Sequence, residues 1–339
     1  MQELTHYING AHVAGASGRF SNVYNPATGE VQAKVPLASA DEMAQAVEIA
    51  AAAQVAWGAV NPQRRARVMM KFVDLLNRDM DALAEALSRE HGKTLPDAKG
   101  DVQRGLEVVE YCIGAPQMLK GDFTDSAGPG IDMYSMRQAL GVCAGITPFN
   151  FPAMIPMWMF APAIVCGNAF ILKPSERDPS VPLMLAELME EAGLPKGVLQ
   201  VVNGDKEAVD AILDHDVIQS IGFVGSTPIA EYIYGRGCSN GKRVQCFGGA
   251  KNHMIIMPDA DMDNVVNSMM GAAYGSCGER CMAISVAVCV GDDVADELVS
   301  RLTDQIKTLK VGSGMDKSSE MGPLVSEVHF NKVKSYVDL

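Results

Sequence analysis

The chain has 339 residues, a formal net charge of −13, and 48% hydrophobic and 20% charged residues. This composition is typical of a globular protein, and the length predicts two or more domains. The acidic balance argues against a nucleic-acid partner and against adsorption to anionic membranes, so an anionic ligand would need local cations.

The cysteines and the apolar segments indicate the compartment. The eight cysteines show no framework spacing, which favours a reducing environment. The N-terminal residues contain neither a basic segment nor an apolar core, so no signal peptide is predicted. The most apolar run, 149–164, is interrupted by prolines and is too short to span a bilayer. We therefore expect a cytoplasmic protein, or an organelle form whose transit peptide has been removed.

Helix signals dominate the first third of the chain, after a short opening (7–28) of predicted strands and turns. A Ser-x-x-Glu capping box and an Asn-Pro cap predict where the first two helices begin. The second keeps apolar residues at helical spacing until Gly92, which we expect to end it. The predicted helices are 39–57, 61–91 and 96–111.

A turn-rich stretch then interrupts the helical pattern. Residues 126–130 form a predicted turn between β-forming flanks, so we expect a projecting hairpin over 121–139. Because an exposed hairpin edge can pair with another chain, the hairpin predicts self-association. The expected assembly is a homodimer or a homotetramer, and the hairpin does not distinguish the two.

Short apolar strands alternate with helices over the next hundred residues. This alternation predicts an α/β fold with a parallel sheet covered on both faces, whose ligands bind beyond the carboxyl ends of the strands. A second α/β segment begins after Ala250. The predicted strands are 142–147, 169–173, 199–203, 220–224 and 243–247, and the predicted helices are 153–166, 181–192, 206–213 and 228–236.

Polar side chains follow three of these strands. Asn150 could donate to a developing oxyanion, or could simply be a turn residue between two prolines. Lys173 and Glu176 suit the hydroxyls and phosphates of a nucleotide, or belong to a solvated loop. Ser226 opens a helix whose N-terminus suits a pyrophosphate, unless it is only a cap. The Gly-x-Gly-x-x-Gly fingerprint is absent from the sequence.

Cys281 is the candidate nucleophile. It follows Arg280 within a run of small residues, and we expect the guanidinium to depress the pKa of the thiol. The alternative is an inert, buried cysteine. Cys277 could pair with Cys281 on a metal, but neither a nearby histidine nor a second Cys-x-x-Cys supports this, so no metal site is predicted.

Together and in this order, the motifs resemble the aldehyde dehydrogenase superfamily. Two segments, 249–253 (Gly-Ala-Lys-Asn-His) and 278–283 (Gly-Glu-Arg-Cys-Met-Ala), are similar to the CoA-acylating methylmalonate-semialdehyde (malonate-semialdehyde) dehydrogenases. The likeness covers essentially the whole chain. The other segments that carry it are Pro148-Phe149-Asn150, Lys173-Pro174-Ser175-Glu176 and Phe223-Val224-Gly225-Ser226-Thr227.

The resemblance implies a role for each matching residue. Cys281 matches the nucleophile, and Asn150 with the Cys281 backbone N–H matches the oxyanion site. Arg104 and Arg280 match the pair of arginines that hold the substrate carboxylate. The implied NAD contacts are Thr147 and Phe149 lining the crevice, Lys173 and Glu176 at the ribose with Arg177 beside them, Ser226 at the pyrophosphate and Gly248 near the nicotinamide.

The resemblance also implies the domain organisation. A Rossmann-like NAD-binding domain comprises 1–120 and 140–250, the oligomerisation hairpin is 121–139, and the catalytic domain begins at 251. Because family members continue well past Leu339, we expect a C-terminally truncated chain with an incomplete catalytic domain (251–339). A non-catalytic nucleotide-binding or assembly fragment is therefore an alternative to an enzyme.

One departure from the family bears on the reaction. Hydrolytic aldehyde dehydrogenases carry a glutamate that activates water, where this chain has Gln245-Cys246-Phe247-Gly248-Gly249. Counting back from Lys251 without a gap aligns Phe247 with that glutamate, and allowing one gap aligns Cys246 with it. Neither is a general base, so a thioester on Cys281 should resist water and be released by coenzyme A. A hydrolytic enzyme is the alternative.

Overall fold

The computed structural model describes residues 2–338. Half of the strands of the described chain belong to one large sheet, and the rest form three small sheets. The strands are β1 (Gln2–Glu3), β2 (His6–Ile8), β3 (Ala11–Val13), β4 (Phe20–Tyr24), β5 (Val31–Pro36), β6 (Phe123–Gly128), β7 (Ile131–Tyr134), β8 (Val142–Ile146), β9 (Ala169–Lys173), β10 (Leu199–Val201), β11 (Ile218–Val224), β12 (Arg243–Phe247), β13 (Asn252–Ile256) and β14 (Ile284–Cys289).

Helices cover the large sheet and connect its strands. A π-helical turn (Met270–Tyr274) and a 3₁₀ turn (Gly275–Gly278) precede the cysteine of interest. The helices are α1 (Ala40–Ala59), α2 (Pro62–Arg78), α3 (Met80–His91), α4 (Leu95–Cys112), α5 (Ala115–Met118), α6 (Met154–Val165), α7 (Ser180–Glu191), α8 (Lys206–Asp214), α9 (Thr227–Ser239), α10 (Met262–Met269), α11 (Asp292–Thr308) and α12 (Glu327–Val337).

The large sheet has seven strands in the order β12-β11-β8-β9-β10-β2-β3. The first five run parallel, as the alternation predicted, with Ile146 opposite Lys173 and Val224 opposite Phe247. Strands β2 and β3 add an antiparallel edge that the sequence did not assign to this sheet. The α/β fold with a doubly covered parallel sheet is confirmed.

The two faces of the sheet bury different strand residues. Phe170 and Leu172 point to the face covered by α2, α3, α4, α6 and α7, where they meet side chains such as Phe160. Ala169 and Ile171 alternate to the other face, covered by α1, α8 and α9. Both faces are apolar because each is covered by helices.

The cap signals of the helical third are confirmed in detail. Ser39 and Glu42 make both bonds of the capping box, and the Asn61 side chain caps α2. The predicted single helix 61–91 is wrong, because the chain leaves helical geometry at Asp79 and starts again at Met80. The apolar pattern continues through the break, with Leu75, Leu76 and Leu83 all buried, so it does not reveal it. Gly92 ends α3 with a positive φ of 94°.

The hairpin is confirmed as strands β6 and β7. It pairs Phe123 with Tyr134, and both strands are exposed along almost their whole length. Tyr134 is 72% exposed. So much exposed aromatic surface on one ribbon leaves it available for a partner.

The second α/β segment pairs β13 with β14 in parallel. A small core of Ile256, Val266, Met269 and Leu298 joins this sheet to α10 and α11. The loop that carries Cys281 lies between α10 and β14. Within residues 2–338, no single helix is both long and apolar enough to cross a membrane; α1 and α2 pass that test only as a pair, and they are bent by 113°.

Candidate active site

The carboxyl ends of the parallel strands bring the predicted site residues to one edge of the sheet. The Thr147 N–H donates to the Lys173 carbonyl oxygen at 3.1 Å, joining the loops that follow β8 and β9. The Gly249 N–H donates to Thr227 Oγ1 at 2.9 Å, joining the loops that follow β11 and β12. Loops from four neighbouring strands therefore meet at the edge where such sheets bind ligands.

A charged cluster follows β9. The buried Lys173 ammonium lies 3.4 Å from the half-exposed Glu176 carboxylate. Arg177 stacks over the Phe149 ring at 5.0 Å from its centroid. Thr147 Oγ1 is buried and has no hydrogen-bond partner within residues 2–338. These hydrogen-bond donors and acceptors suit the hydroxyls of a ribose. A buried hydroxyl without a partner, such as that of Thr147, is free to bind a ligand.

The start of α9 matches an anion site better than a simple cap. Ser226 occupies the N-cap position, but its side chain makes no capping hydrogen bond. Its exposed hydroxyl and the first N–H groups of this 13-residue helix are thus available to a phosphate.

The thiol of Cys281 lies on an irregular loop. Ser276 and Cys277 have positive φ angles of 53° and 54°, a conformation that costs free energy for residues other than glycine. The Asn252 side chain donates to the carbonyl oxygens of Cys281 and Ala283 at 3.0 and 2.9 Å and so fixes the backbone beyond the thiol. Cys281 itself is exposed.

The expectation that Arg280 depresses the pKa of this thiol is wrong. The guanidinium turns away to pair with the Asp97 carboxylate and donates to the Gly271 carbonyl oxygen at 3.0 Å. Partial desolvation raises the pKa of the Cys281 thiol, while the N–H groups of Cys281 and Met282 and the charge of Lys93 act in the opposite direction. The arginine next to Cys281 in the sequence is therefore not a cation that acts on its thiol, because the Arg280 side chain pairs with Asp97 on α4.

Gly275 gives the guanidinium room to turn. A Cβ at this position would lie 2.7 Å from the Arg280 guanidinium carbon. A glycine here thus permits the close approach of side chain to backbone.

Asn150 is joined directly to the cysteine loop. Its side-chain amide donates to the Glu279 carbonyl oxygen at 2.7 Å, and its own carbonyl oxygen accepts from Lys93 at 2.7 Å. Asn150 therefore contacts the loop that carries the candidate nucleophile, and hydrogen bonds hold both its side chain and its backbone.

A cavity of about 640 Å³ connects Cys281 with the end of β12. Gly248 and Phe247 line it together with Cys281, and most of its other wall is apolar, including Ile155 and Trp158 from α6. None of its lining residues is an aspartate or glutamate. The cavity thus brings the residue that the resemblance implies for the nicotinamide to the wall that holds the thiol.

The cavity also resolves the choice between Phe247 and Cys246. Side chains alternate along β12, and Phe247 faces the cavity that Cys281 lines. Cys246 points to the opposite face and packs against the core under α9. The residue facing the thiol is therefore Phe247, which cannot act as a base.

Arg104 is exposed on α4. Its spacing from Asp97 places both on one face of that helix, and Asp97 contacts Arg280. Within residues 2–338, Arg104 makes no ion pair within 4.0 Å. Helix α4 thus relates the two arginines, because it carries Arg104 and also the partner of Arg280.

Glu279 received no role from the sequence and belongs to a buried polar cluster. Its side chain is 2% exposed and lies 3.8 Å from His91 Nε2 and 3.4 Å from His329 Nε2. Burial raises the pKa of Glu279 to about 7, although the Val325 N–H, Lys93 and Arg177 act in the opposite direction. The sequence signal for this residue is its place in the Gly-Glu-Arg-Cys segment, two positions before the candidate nucleophile.

We expect Glu279→Gln to flatten the pH dependence of stability. The unfolded carboxyl has a pKa near 4.5 and the folded one about 7, so the folded state binds more protons in this range. Its contribution to the free energy of unfolding is therefore complete below 4.5 and is lost as the pH rises through 7, on the order of 3 kcal/mol. Chemical denaturation of both proteins from pH 5 to 8 measures the difference.

His91 and His329 act with the opposite sign. Burial lowers the pKa of both rings, so their contribution is lost as the pH falls. The difference between wild type and Glu279→Gln reports the glutamate together with its effect on these two neighbouring rings. Glu48→Gln, an exposed change on α1, is the control. Parallel pH curves for wild type and Glu279→Gln would contradict the prediction.

Strand-end loops on a parallel sheet, with an exposed thiol in the adjoining cavity, define a nucleotide-binding α/β protein with a cysteine site. The model of the aldehyde dehydrogenase family matches residues 12–339. This chain belongs to the aldehyde dehydrogenase family, as the resemblance implied.

Several relatives are similar over the whole chain. A malonate-semialdehyde dehydrogenase of Pseudomonas aeruginosa is 57% identical over 338 residues, which are 100% of this chain and 68% of that protein. A Sinorhizobium meliloti structure, described as a methylmalonate-semialdehyde dehydrogenase complexed with NAD, is 65% identical with a TM-score of 0.98 and is covered to 69%. The methylmalonate-semialdehyde dehydrogenase of Oceanimonas doudoroffii is 54% identical, also with a TM-score of 0.98 and 69% coverage.

Proposed function

We propose that the chain catalyses the NAD-dependent, CoA-acylating oxidation of methylmalonate or malonate semialdehyde. The products are propionyl-CoA or acetyl-CoA, CO₂ and NADH. The observation that carries the proposal is that the Cys281 thiol opens into a cavity whose lining contains Phe247 and no carboxylate. The names and the high identity of the relatives support the substrate class.

The residues at the sheet edge fit NAD. Lys173 and Glu176 would hold the ribose hydroxyls beside Arg177 and Phe149, with the unpartnered Thr147 hydroxyl nearby. Ser226 and the start of α9 would hold the pyrophosphate, and Gly248 would lie on the nicotinamide side. When bound, NAD supplies the acceptor for the hydride.

The first half of the reaction forms a thioester. The Cys281 thiolate adds to the aldehyde carbon, and the oxygen becomes an oxyanion. The Asn150 amide and the Cys281 N–H donate to this oxyanion, which requires Asn150 to exchange its bond to the Glu279 carbonyl oxygen. Loss of hydride from the same carbon then leaves an acyl group on the sulfur.

The second half releases the product. The substrate carboxylate, held by Arg104 and Arg280, leaves as CO₂ while the adjacent carbon takes up a proton. The CoA thiolate attacks the thioester carbonyl, and the Cys281 thiolate is the leaving group. Because Phe247 stands where a water-activating base would be needed, water competes poorly with CoA.

The test is NADH formation with and without CoA. The proposal expects one equivalent of NADH per Cys281 without CoA, followed by steady turnover once CoA is added. Equal steady rates without CoA would identify a hydrolytic aldehyde dehydrogenase instead. A folded chain that binds NAD but produces no burst would identify a non-catalytic nucleotide-binding or assembly fragment.

Asp97 competes with the substrate for Arg280. We expect Arg104→Leu and Arg280→Leu each to raise the KM for the semialdehyde by roughly 10- to 100-fold, because a hydrogen bond to a charged group contributes about 1.5–3 kcal/mol. The KM for propanal, which lacks the carboxylate, should change little. Asp97→Asn should lower the KM for the semialdehyde, since it frees the guanidinium. Equal effects on both aldehydes would contradict carboxylate binding.

The domain organisation that we propose around this site is the one that the family resemblance implies. The proposed NAD-binding domain is 1–120 with 140–250, and the proposed catalytic domain is 251–339. The hairpin 121–139 would join subunits into a homodimer or homotetramer, and the proposed location is cytoplasmic.

Tyr134→Asp on this hairpin is expected to weaken self-association. The side chain is 72% exposed, and a charge there opposes burial in a subunit interface. Sedimentation velocity over a concentration series measures the shift towards monomer. Val55→Asp, an equally exposed change on α1, is the control. An unchanged distribution for Tyr134→Asp would exclude an interface at this residue.

A further inference from the structure

A buried lysine lies directly behind the candidate site. Lys93 follows the glycine that ends α3, and its side chain is 1% exposed. Its ammonium donates to Asp101 Oδ2 at 3.2 Å and to the Asn150 carbonyl oxygen at 2.7 Å, and it lies 4.5 Å from the centroid of the Phe151 ring. A fully buried ammonium is costly unless its donors are satisfied, so this arrangement is closely specified.

The partner carboxylate holds the other end of the same segment. Asp101 is 1% exposed, and its Oδ1 accepts from the Met154 N–H at 2.7 Å, at the start of α6. Helix α6 has no side-chain cap of its own. The Asp101 carboxylate from α4 therefore accepts a hydrogen bond from one of the free N–H groups at its start. Lys93 and Asp101 thus clamp the backbone from Asn150 to Met154.

We infer that Lys93 is a positioning residue for the proposed chemistry. Its hydrogen bond fixes the backbone of Asn150, and its positive charge acts on the Cys281 thiol. This inference rests on the proposed function. It assigns to Lys93 the electrostatic role that the sequence suggested for Arg280, whose guanidinium is paired with Asp97.

Charge and geometry agree on this assignment. Burial raises the pKa of the Cys281 thiol and that of Glu279, and the charge of Lys93 opposes both shifts. In the same loop, the Asn150 amide donates to the Glu279 carbonyl oxygen. One ammonium therefore acts on the thiol through its field and on the oxyanion donor through a hydrogen bond.

The test is the pH profile of Cys281 alkylation by iodoacetamide, followed on the peptide that carries Cys281. No substrate is needed, so the result is independent of the proposed reaction. The series runs from pH 8 to 11, above the pKa of about 7 that Glu279 has in the wild-type chain. Lys93→Met should move the midpoint up by about one pH unit, which slows alkylation at pH 8 about tenfold.

Lys242→Met is the matched control. Lys242 is also buried, and its ammonium donates to the carbonyl oxygens of His215 and Ile218 at 2.6 and 2.9 Å, near the amino ends of the strands. Its loss removes a comparable buried ammonium far from the thiol and should leave the midpoint unchanged. A general loss of packing would instead move both variants alike, and that result would overturn the inference.

A second variant keeps the test valid if Lys93→Met leaves Asp101 unpaired and does not fold. Lys93→Met with Asp101→Asn removes both charges, and NAD binding reports that it is folded. It should show the same upward shift, whereas Asp101→Asn alone keeps the ammonium and should not. An unshifted midpoint in the folded double variant would overturn the inference. Retained turnover in Cys281→Ser would instead refute the proposed function.

Discussion

A Cys281→Ser protein is expected to bind NAD as wild type does and to lose NADH formation by on the order of 10⁴-fold or more. The hydroxyl of serine is a far weaker nucleophile than a thiol, and none of the residues that line the cavity is a histidine or carboxylate that could activate it. The burst of NADH without CoA should disappear along with steady turnover.

Cys277→Ser is the matched control. Cys277 lies in the same loop, but burial raises the pKa of its thiol to about 12, and its Sγ–H donates to the Gly322 carbonyl oxygen at 2.8 Å. A serine hydroxyl can make the same hydrogen bond, so most of the activity should remain. If the two variants lost activity equally, the loop geometry rather than the Cys281 sulfur would be responsible.

Asn150→Ala is expected to lower kcat by roughly 10²–10³-fold, the usual effect of removing one oxyanion donor. The amide lies beside the cysteine loop and is held from behind by Lys93. The affinity for NAD should change little, because the Asn150 amide is not among the proposed NAD contacts and the substitution leaves Thr147, Phe149, Lys173 and Ser226 in place.

A second measurement separates the two possible roles of Asn150. Its amide also holds the loop through the Glu279 carbonyl oxygen, so the substitution could act by loosening Cys281. If the oxyanion role dominates, iodoacetamide should alkylate Cys281 in Asn150→Ala at nearly the wild-type rate while kcat falls. Equal losses in alkylation and in kcat would show that Asn150 acts by holding the loop.

Local signals predicted most elements of the fold. The capping box at Ser39, the Asn61-Pro62 start and the end at Gly92 are all where the sequence predicts them, because caps depend on residues within a single turn. The break at Asp79 was missed, since the apolar spacing continues through it and only packing decides where the axis bends.

The site was predicted in part. Strand ends placed Asn150, Lys173 and Ser226 on one edge of the sheet, because parallel strands share their carboxyl edge. The neighbours of Cys281 could not be read in this way. Arg280 is adjacent in sequence yet pairs with Asp97, whereas Lys93 is remote in sequence and acts on the thiol.

The sequence by itself determined the order of the elements, the parallel sheet and the family, since these depend on periodicity, caps and ordered motifs. The tertiary structure alone decided that Phe247 rather than Cys246 faces the thiol. It also brought together Lys93, Asn150 and Glu279. The physical reason is that electrostatic and packing interactions depend on distance in space, and these residues meet only when α3, the β8 loop and the cysteine loop fold against one another.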